Sequence, residues 1–258
     1  MSKGIRLGPK TAHILTQARW RGQDAFPAWQ EFAGEFERLL TYADGTGQFQ
    51  RFRPRLTATK TQRDETLQEI RVAYFFDLCK FPITSWEPLG HGIKAGEFCI
   101  RTSPSDHVFI EVKSPGWEGE LSPAERAAGR AKREKYINGE ARAYAPWERI
   151  RFTIQKAYPK FSPTQPNLLV IADDFFVSLE HSTFPMQIAL FEKSRAYRDE
   201  QGYFVTNSFE KLGGVGTFWL KPSGVKVNYG FRLFTNPRAL QSTRLPQTFC
   251  DVFDTISR

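Results

Sequence analysis

The residues best suited to catalysis lie in one short run, Val108 to Lys113, which reads V-F-I-E-V-K. Its β-branched and aromatic residues predict a strand. Side chains alternate between the two faces of a strand, so Glu111 and Lys113 are expected on one face while their apolar neighbours point into a core. A carboxylate holds hard cations through oxygen, and a neighbouring ammonium stabilises an attacked phosphate or orients water. The pattern suits metal-assisted phosphodiester hydrolysis, but three residues by themselves favour a solvated ion pair on a half-exposed strand, so the surrounding elements must decide between the two.

A second acidic residue precedes this run. Glu97 opens a predicted strand that ends at Arg101, and the turn-forming residues Ser103 to Asp106 join the two strands as a hairpin. We therefore expect Glu97, Glu111 and Lys113 to converge at one edge of a sheet.

The elements that must position these residues follow a regular order. An acidic helix that contains Glu69 precedes the hairpin, and a helix with one apolar face is predicted from Pro146 to Lys160. The continuous apolar run from Asn167 to Ile171 predicts a strand covered on both faces.

This order of helix, strand, acidic hairpin, helix and strand resembles the PD-(D/E)xK nuclease family, also called restriction-endonuclease-like. The resemblance covers residues 64–177, a little under half of the chain. It implies an α/β fold with an αβββαβ core and a mixed sheet flanked by helices. The rest of the chain would elaborate this core with N-terminal helices and a C-terminal β-hairpin.

The resemblance also implies roles for individual residues. Glu69 would be the helix acid, and Glu97 the strand acid, where the family usually has Asp. Glu111 and Lys113 would be the motif itself. Mg²⁺ (or Mn²⁺) would be bound by Glu97, Glu111 and the Val112 carbonyl. Lys113 would stabilise charge or position water, and Glu69 would complete the metal shell or hold a second ion.

The helix after the motif carries two further polar residues that resemble those of family members, Gln155 and Lys156. Helical projection places Gln155 near the edge of the apolar face. Lys156 lies nearly opposite that face, so we expect it to be solvated.

Charge is concentrated after the motif. The chain has a formal net charge of +8 and a pI near 9.4, which suits a polyanionic partner. From Lys113 to Lys160 there are 11 Lys and Arg against 6 Asp and Glu. A capped helix is predicted from Ser122 to Tyr136. Its stripe of arginines would either contact phosphates or form a solvated face; the stripe consists of Arg126, Arg130 and Arg133.

Length and composition fit one elaborated α/β domain. The 258 residues, 40% of them hydrophobic, can bury a substantial core. We divide the chain into an N-terminal helical extension, residues 1–60, and a nuclease-like domain, residues 61–258. The domain would contain the core 64–177, a basic helical insertion at 117–145 and a C-terminal hairpin at 217–235.

Other classes are poorly supported. No apolar stretch is long enough to cross a membrane, and the N-terminus lacks the apolar run of a signal peptide, so we expect a cytoplasmic protein. The three widely spaced cysteines indicate neither a disulfide framework nor a zinc site.

The sequence thus predicts a magnesium-dependent endonuclease that acts on nucleic acid, with DNA favoured over RNA, and that could form a homodimer. Two alternatives stay open. One is a catalytically inactive nucleic-acid-binding domain of the same fold, and the other is a protein-interaction module.

Overall fold

The structure is a computed structural model that describes residues 7–17, 30–92, 94–114, 146–173, 183–194, 201–223 and 226–257. The predicted basic insertion at 117–145 lies outside the described residues. The three arginines of its stripe therefore stay predictions: Arg126, Arg130 and Arg133.

Within the described residues, a group of helices comes first, and strands interrupted by single helices follow. The helices are α1 (Pro9–Gln17), α2 (Gln30–Gly45), α3 (Phe49–Leu56), α4 (Lys60–Leu78), α5 (Pro146–Ala157), α6 (Thr183–Phe191) and α7 (Gln247–Cys250). The strands are β1 (Ile83–Trp86), β2 (Phe98–Arg101), β3 (His107–Lys113), β4 (Asn167–Asp173), β5 (Gly214–Ser223), β6 (Lys226–Thr235) and β7 (Asp254–Ile256).

The seven strands form one mixed sheet in chain order. β1, β2 and β3 are antiparallel to one another, and β4 is parallel to β3. β5 is parallel to β4, β6 is antiparallel to β5, and β7 is parallel to β6. The prediction of an α/β protein with a mixed sheet flanked by helices is confirmed at this level. The predicted C-terminal hairpin forms from β5 and β6 and begins three residues earlier than expected, at Gly214.

Each face of the sheet packs against its own helices. Ile110 and Val112 of β3 point into the core that contains Phe76 of α4. Phe109, which precedes Ile110 and faces the other side of the sheet, lies in the core formed with α5 and α6. Glu111 and Lys113 follow the alternation of Phe109, so they project on the α5 side of the sheet.

The strand β4 is buried on both faces, as its continuous apolar run predicts. Leu168 and Val170 belong to the α4-side core, and Leu169 and Ile171 to the α5-side core. This strand is parallel to β3, and α5 lies between the two strands in the chain. The end of α5 is thereby brought back beside β3.

The helix α4 has a well-defined start. The Thr59 side chain accepts a hydrogen bond from the Gln62 N–H, and the Gln62 side chain accepts one from the Thr59 N–H. This capping box begins a helix that carries Glu69 near its middle. The helices α1, α2 and α3 pack on α4 through a third cluster that includes Ile70. No helix in the described part of the chain is both long and apolar enough to cross a membrane.

Candidate active site

The centre of the site is the carboxylate of Glu111, which is fully buried. The Lys113 Nζ atom lies 2.5 Å from Glu111 Oε1, and the Lys160 Nζ atom lies 2.6 Å from the same oxygen. Lys113 comes from the same strand, two residues on. Lys160 ends the 3₁₀ turn Tyr158–Lys160 that follows α5. A buried carboxylate is costly unless it is paired, and here two ammonium groups pair with it.

Glu97 lies beside this cluster. Its backbone N–H donates to the Ile110 carbonyl at 3.0 Å, one residue outside the paired part of β2. Burial, reinforced by the charges of Glu69 and Glu111, raises the pKa of Glu97 to about 8. Lys113 and Lys160 act on the same group in the opposite direction. The structure therefore brings together Glu97, Glu111 and Lys113, as the sequence predicts.

The pKa of Lys113 reflects the same arrangement. Burial by itself would lower this pKa, but the charge and hydrogen bond of Glu111, together with the charge of Glu97, raise it overall. Lys113 is therefore a fixed positive charge at neutral pH. Its side chain is 34% exposed, so the ammonium is both anchored to Glu111 and open to a ligand.

The oxygen atoms around Glu111 suit a hard cation. Its second oxygen, Oε2, is buried and accepts no hydrogen bond within the described part of the chain. Because backbone groups alternate in direction along a strand, the Val112 carbonyl points toward β2, as the Ile110 carbonyl does. β2 has no paired residue at that level. Two carboxyl groups and one carbonyl are the donors that Mg²⁺ prefers.

These donors do not amount to a ready-made metal centre of side chains. Among the described residues, no three His, Cys, Asp or Glu side chains converge closely enough to hold a metal ion. The set is Glu97, Glu111 and the Val112 carbonyl, a site that leaves further coordination positions to water or substrate.

Glu69 is placed differently from the other acids. It is 2% exposed, and each of its oxygens pairs with a separate arginine: Oε1 with Arg51 Nη2 at 2.6 Å and Oε2 with Arg55 Nη1 at 2.6 Å. Burial raises the pKa of Glu69 against the opposing charges of both arginines. One guanidinium on each oxygen is the geometry of an ionised carboxylate. Glu69 acts on Glu97 electrostatically, but its oxygens are committed to α3.

Three basic residues at the site are absent from the sequence-based prediction: Lys160, Arg51 and Arg55. Lys160 lies 49 residues after Glu111 in the chain. The two arginines are one helical turn apart on α3, a spacing that puts them on one face and could have marked them as a pair. No local pattern indicates which acid they would meet.

The two polar residues of α5 that resemble the family's helix do not reach the cluster. Gln155 and Lys156 are both exposed. The Lys156 Nζ atom lies over the ring of Phe152, 4.3 Å from its centroid. The expectation that Lys156 is solvated is confirmed. The lysine from this part of the chain that contacts Glu111 is Lys160, four residues later.

The loop between β1 and β2 covers the backbone of Lys160. The His91 N–H donates to the Lys160 carbonyl at 2.8 Å. A Cβ atom at Gly90 would lie 2.1 Å from that carbonyl oxygen, so only glycine allows this approach. The loop thus holds the turn that presents the Lys160 ammonium to Glu111.

No protein-family model matches this chain, and searches of curated proteins and of solved structures also find no match.

Proposed function

We propose that the protein is a metal-dependent nuclease of the PD-(D/E)xK type that hydrolyses phosphodiester bonds of nucleic acid, with DNA favoured over RNA. The proposal depends mainly on one observation: the carboxyl groups of Glu97 and Glu111 and the ammonium of Lys113 form a single cluster. The order α4, β1, β2, β3, α5, β4, with β4 parallel to β3, supports it as the order that the resemblance implies.

Each residue of the cluster would have its own role in the reaction. Glu97, Glu111 and the Val112 carbonyl would hold Mg²⁺ or Mn²⁺. A bound divalent cation supplies Lewis-acid polarisation of the phosphate and lowers the pKa of the attacking water. The Lys113 ammonium donates a hydrogen bond to the phosphate oxygens, and its positive charge stabilises the negative charge that develops on them. Lys160 balances the charge of the buried Glu111 carboxylate.

A catalytically inactive nucleic-acid-binding domain is the second candidate. Glu111 already pairs with two lysines and Glu69 with two arginines. Four cations therefore face three acids, and Glu97, with its pKa of about 8, is largely protonated at neutral pH, so the cluster carries net positive charge without a metal ion. A site of this kind could hold a phosphodiester and leave it intact.

A cleavage assay separates the two candidates. Supercoiled DNA, linear duplex, single-stranded DNA and RNA are incubated with the protein in Mg²⁺, in Mn²⁺ and in excess chelator. The nuclease proposal expects cleavage that needs the cation and is lost in Glu111→Ala. Salt-sensitive binding of the same substrates without cleavage at any cation concentration would instead support the inactive domain.

A further inference from the structure

A second group of charges lies next to the cluster and is not used in the proposed reaction. Arg51 and Arg55 stand one turn apart on α3, and Glu69 of α4 pairs with both. Two like charges at this spacing repel each other on an isolated helix. The Glu69 carboxylate offsets that repulsion by taking one guanidinium on each oxygen. The three residues form a fixed unit, which we name the arginine clamp.

Within the clamp, Arg51 is held by two ion pairs and by two aromatic rings, and its side chain is 18% exposed. Its Nε lies 3.3 Å from Glu87 Oε1 in addition to the Glu69 contact. Its guanidinium carbon is 4.9 Å from the Phe52 ring centroid and 5.3 Å from that of Trp86. Stacking of this kind fixes the plane of the guanidinium. Arg51 is therefore a structural member of the clamp.

Arg55 differs from Arg51 in both exposure and partners. Its side chain is 37% exposed, and Glu69 is its one ion-pair partner in the described part of the chain. It also interacts electrostatically with Glu97, so its charge acts on the candidate active site. A guanidinium has five N–H donors, and a single contact through Nη1 leaves most of them for a ligand.

We propose that the exposed edge of Arg55 binds a phosphate of the nucleic-acid backbone next to the phosphodiester held by Glu97, Glu111 and Lys113, and that Glu69 positions it. This inference rests on the proposed function for the identity of the substrate. A phosphate suits the position because it is anionic and because two parallel N–H groups match two of its oxygens. Glu69 is then a positioning residue and not a metal ligand, since both of its oxygens are occupied.

The same helix provides a matched control. Arg53 lies between the two clamp arginines in sequence, but its Nε donates to Gln17 Oε1 of α1 at 2.9 Å. It carries the same charge on the same short helix and takes no part in the Glu69 pairs. Arg53→Ala therefore measures the effect of removing one positive charge from α3. Arg55→Ala measures the effect of removing the same charge together with the proposed phosphate contact.

The test is binding of a fluorescent DNA duplex over a series of KCl concentrations in excess chelator, so that cleavage does not interfere. We expect Arg55→Ala to weaken binding about tenfold. We also expect the slope of log affinity against log salt to fall by about 0.9, the value for one lost phosphate contact. Arg53→Ala should leave the slope unchanged. Circular dichroism checks the fold, and Arg55→Gln replaces Arg55→Ala if the latter does not fold.

The positioning role of Glu69 leads to a second prediction, which would not follow from a purely structural ion pair. Glu69→Gln should raise KM for DNA while the Mg²⁺ concentration for half-maximal cleavage stays that of the parent. A raised Mg²⁺ requirement would return Glu69 to the metal shell and overturn its positioning role.

The outcomes separate this inference from the proposed function. If Arg55→Ala and Arg53→Ala bind alike, the phosphate contact is refuted, while Mg²⁺-dependent cleavage by the parent would still support the nuclease. If Arg55→Ala flattens the salt slope and no cation permits cleavage, the nuclease proposal fails and the phosphate contact stands. A parent protein that binds neither duplex nor single strand overturns both.

Discussion

Lys113 and Lys160 contact the same oxygen of Glu111, but they hold different positions in the fold. Lys113 extends from the strand that carries Glu111. Lys160 comes from the turn after α5, where the β1–β2 loop holds its backbone. Lys113 acts with the carboxylate as one rigid unit, whereas Lys160 depends on the packing of α5.

Replacement of Lys113 tests its role in stabilising developing charge. We expect Lys113→Ala to reduce kcat by about 100-fold to 1,000-fold and to change DNA affinity by less than about threefold, since its charge acts mainly in the transition state. Lys156→Ala removes an exposed lysine of α5 and serves as the control. Steady-state cleavage rates and binding without cation give the two numbers. Equal cleavage by Lys113→Ala and the parent would contradict the assignment.

The raised pKa of Glu97 makes stability depend on pH. Glu97 titrates at about 8 in the folded protein and near 4.3 in an unfolded chain. Between these values the folded protein binds the extra proton, so its stability falls as pH rises. The contribution of Glu97 is therefore fully present below about pH 4.3 and is lost as pH rises through about 8.

Glu97→Gln should remove this dependence, because glutamine keeps the shape and does not ionise. We expect the mutant to be more stable than the parent at pH 9, on the order of a few kcal/mol, and similar to it at pH 5. Urea unfolding at pH 5, 7 and 9 measures the difference. Mg²⁺ should reduce the loss of stability of the parent at high pH. Parallel pH profiles of parent and mutant would show that Glu97 does not titrate in this range.

At the scale of elements, the site depends on the contact between the β1–β2 loop and the turn after α5. Two glycines allow close approach at this contact. Gly90 lies against the Lys160 carbonyl, and a Cβ atom at Gly96 would lie 2.2 Å from the Phe109 ring. The loop and the turn cannot separate without displacing Lys160 from Glu111.

Gly90→Ala tests this contact. The added methyl group would meet backbone, which cannot move aside, so we expect a loss of about 1–3 kcal/mol in unfolding free energy and reduced cleavage. Gly45→Ala is the control, because no atom lies within 4 Å of a Cβ atom at that helix end. Thermal unfolding and cleavage rates are compared for both variants. A Gly90→Ala protein as stable and active as Gly45→Ala would show that the loop can move.

At the scale of the whole molecule, a buried network joins the N-terminal helices to the sheet. Arg71 of α4 donates to both oxygens of Glu35 of α2, Nε at 2.9 Å and Nη2 at 2.8 Å. The Tyr229 hydroxyl of β6 donates to Glu35 Oε1 at 3.0 Å. Burial, with the Glu35 charge, raises the pKa of Tyr229, so its hydroxyl remains a donor. Residues 194 apart in the chain are thereby connected.

Glu35→Ala should destabilise the protein by about 3–5 kcal/mol, because it removes the buried carboxylate that accepts two hydrogen bonds from Arg71. Tyr229→Phe removes one hydrogen bond and should cost only about 1 kcal/mol. Urea unfolding monitored by tryptophan fluorescence compares the two. Equal losses in both variants would mean that the ion pair contributes little to stability.

The basic segment gives the last test at this scale. If Arg126, Arg130 and Arg133 contact phosphates, their joint replacement by Ala should reduce the salt slope of DNA binding by about 0.9 per contact, with little change in stability. Filter binding over a salt series measures the slope. An unchanged slope would identify the stripe as a solvated surface.

The sequence by itself determined the features that depend on neighbouring residues. The alternation in Val108 to Lys113 and the turn residues Ser103 to Asp106 predicted a hairpin with Glu111 and Lys113 on one face, and that hairpin is observed. The apolar run of β4 likewise predicted its burial on both faces. These features follow from periods of two residues and from short turns, which are local properties of the chain.

Only the tertiary structure decided which charges meet. The second lysine on Glu111 is Lys160, which the sequence did not mark, and Glu69 pairs with two arginines instead of joining the other acids. Period and propensity indicate which face of an element a residue lies on. They do not indicate which other element packs there, since that depends on how three hydrophobic clusters fill space together. The partners of the acids follow from that packing.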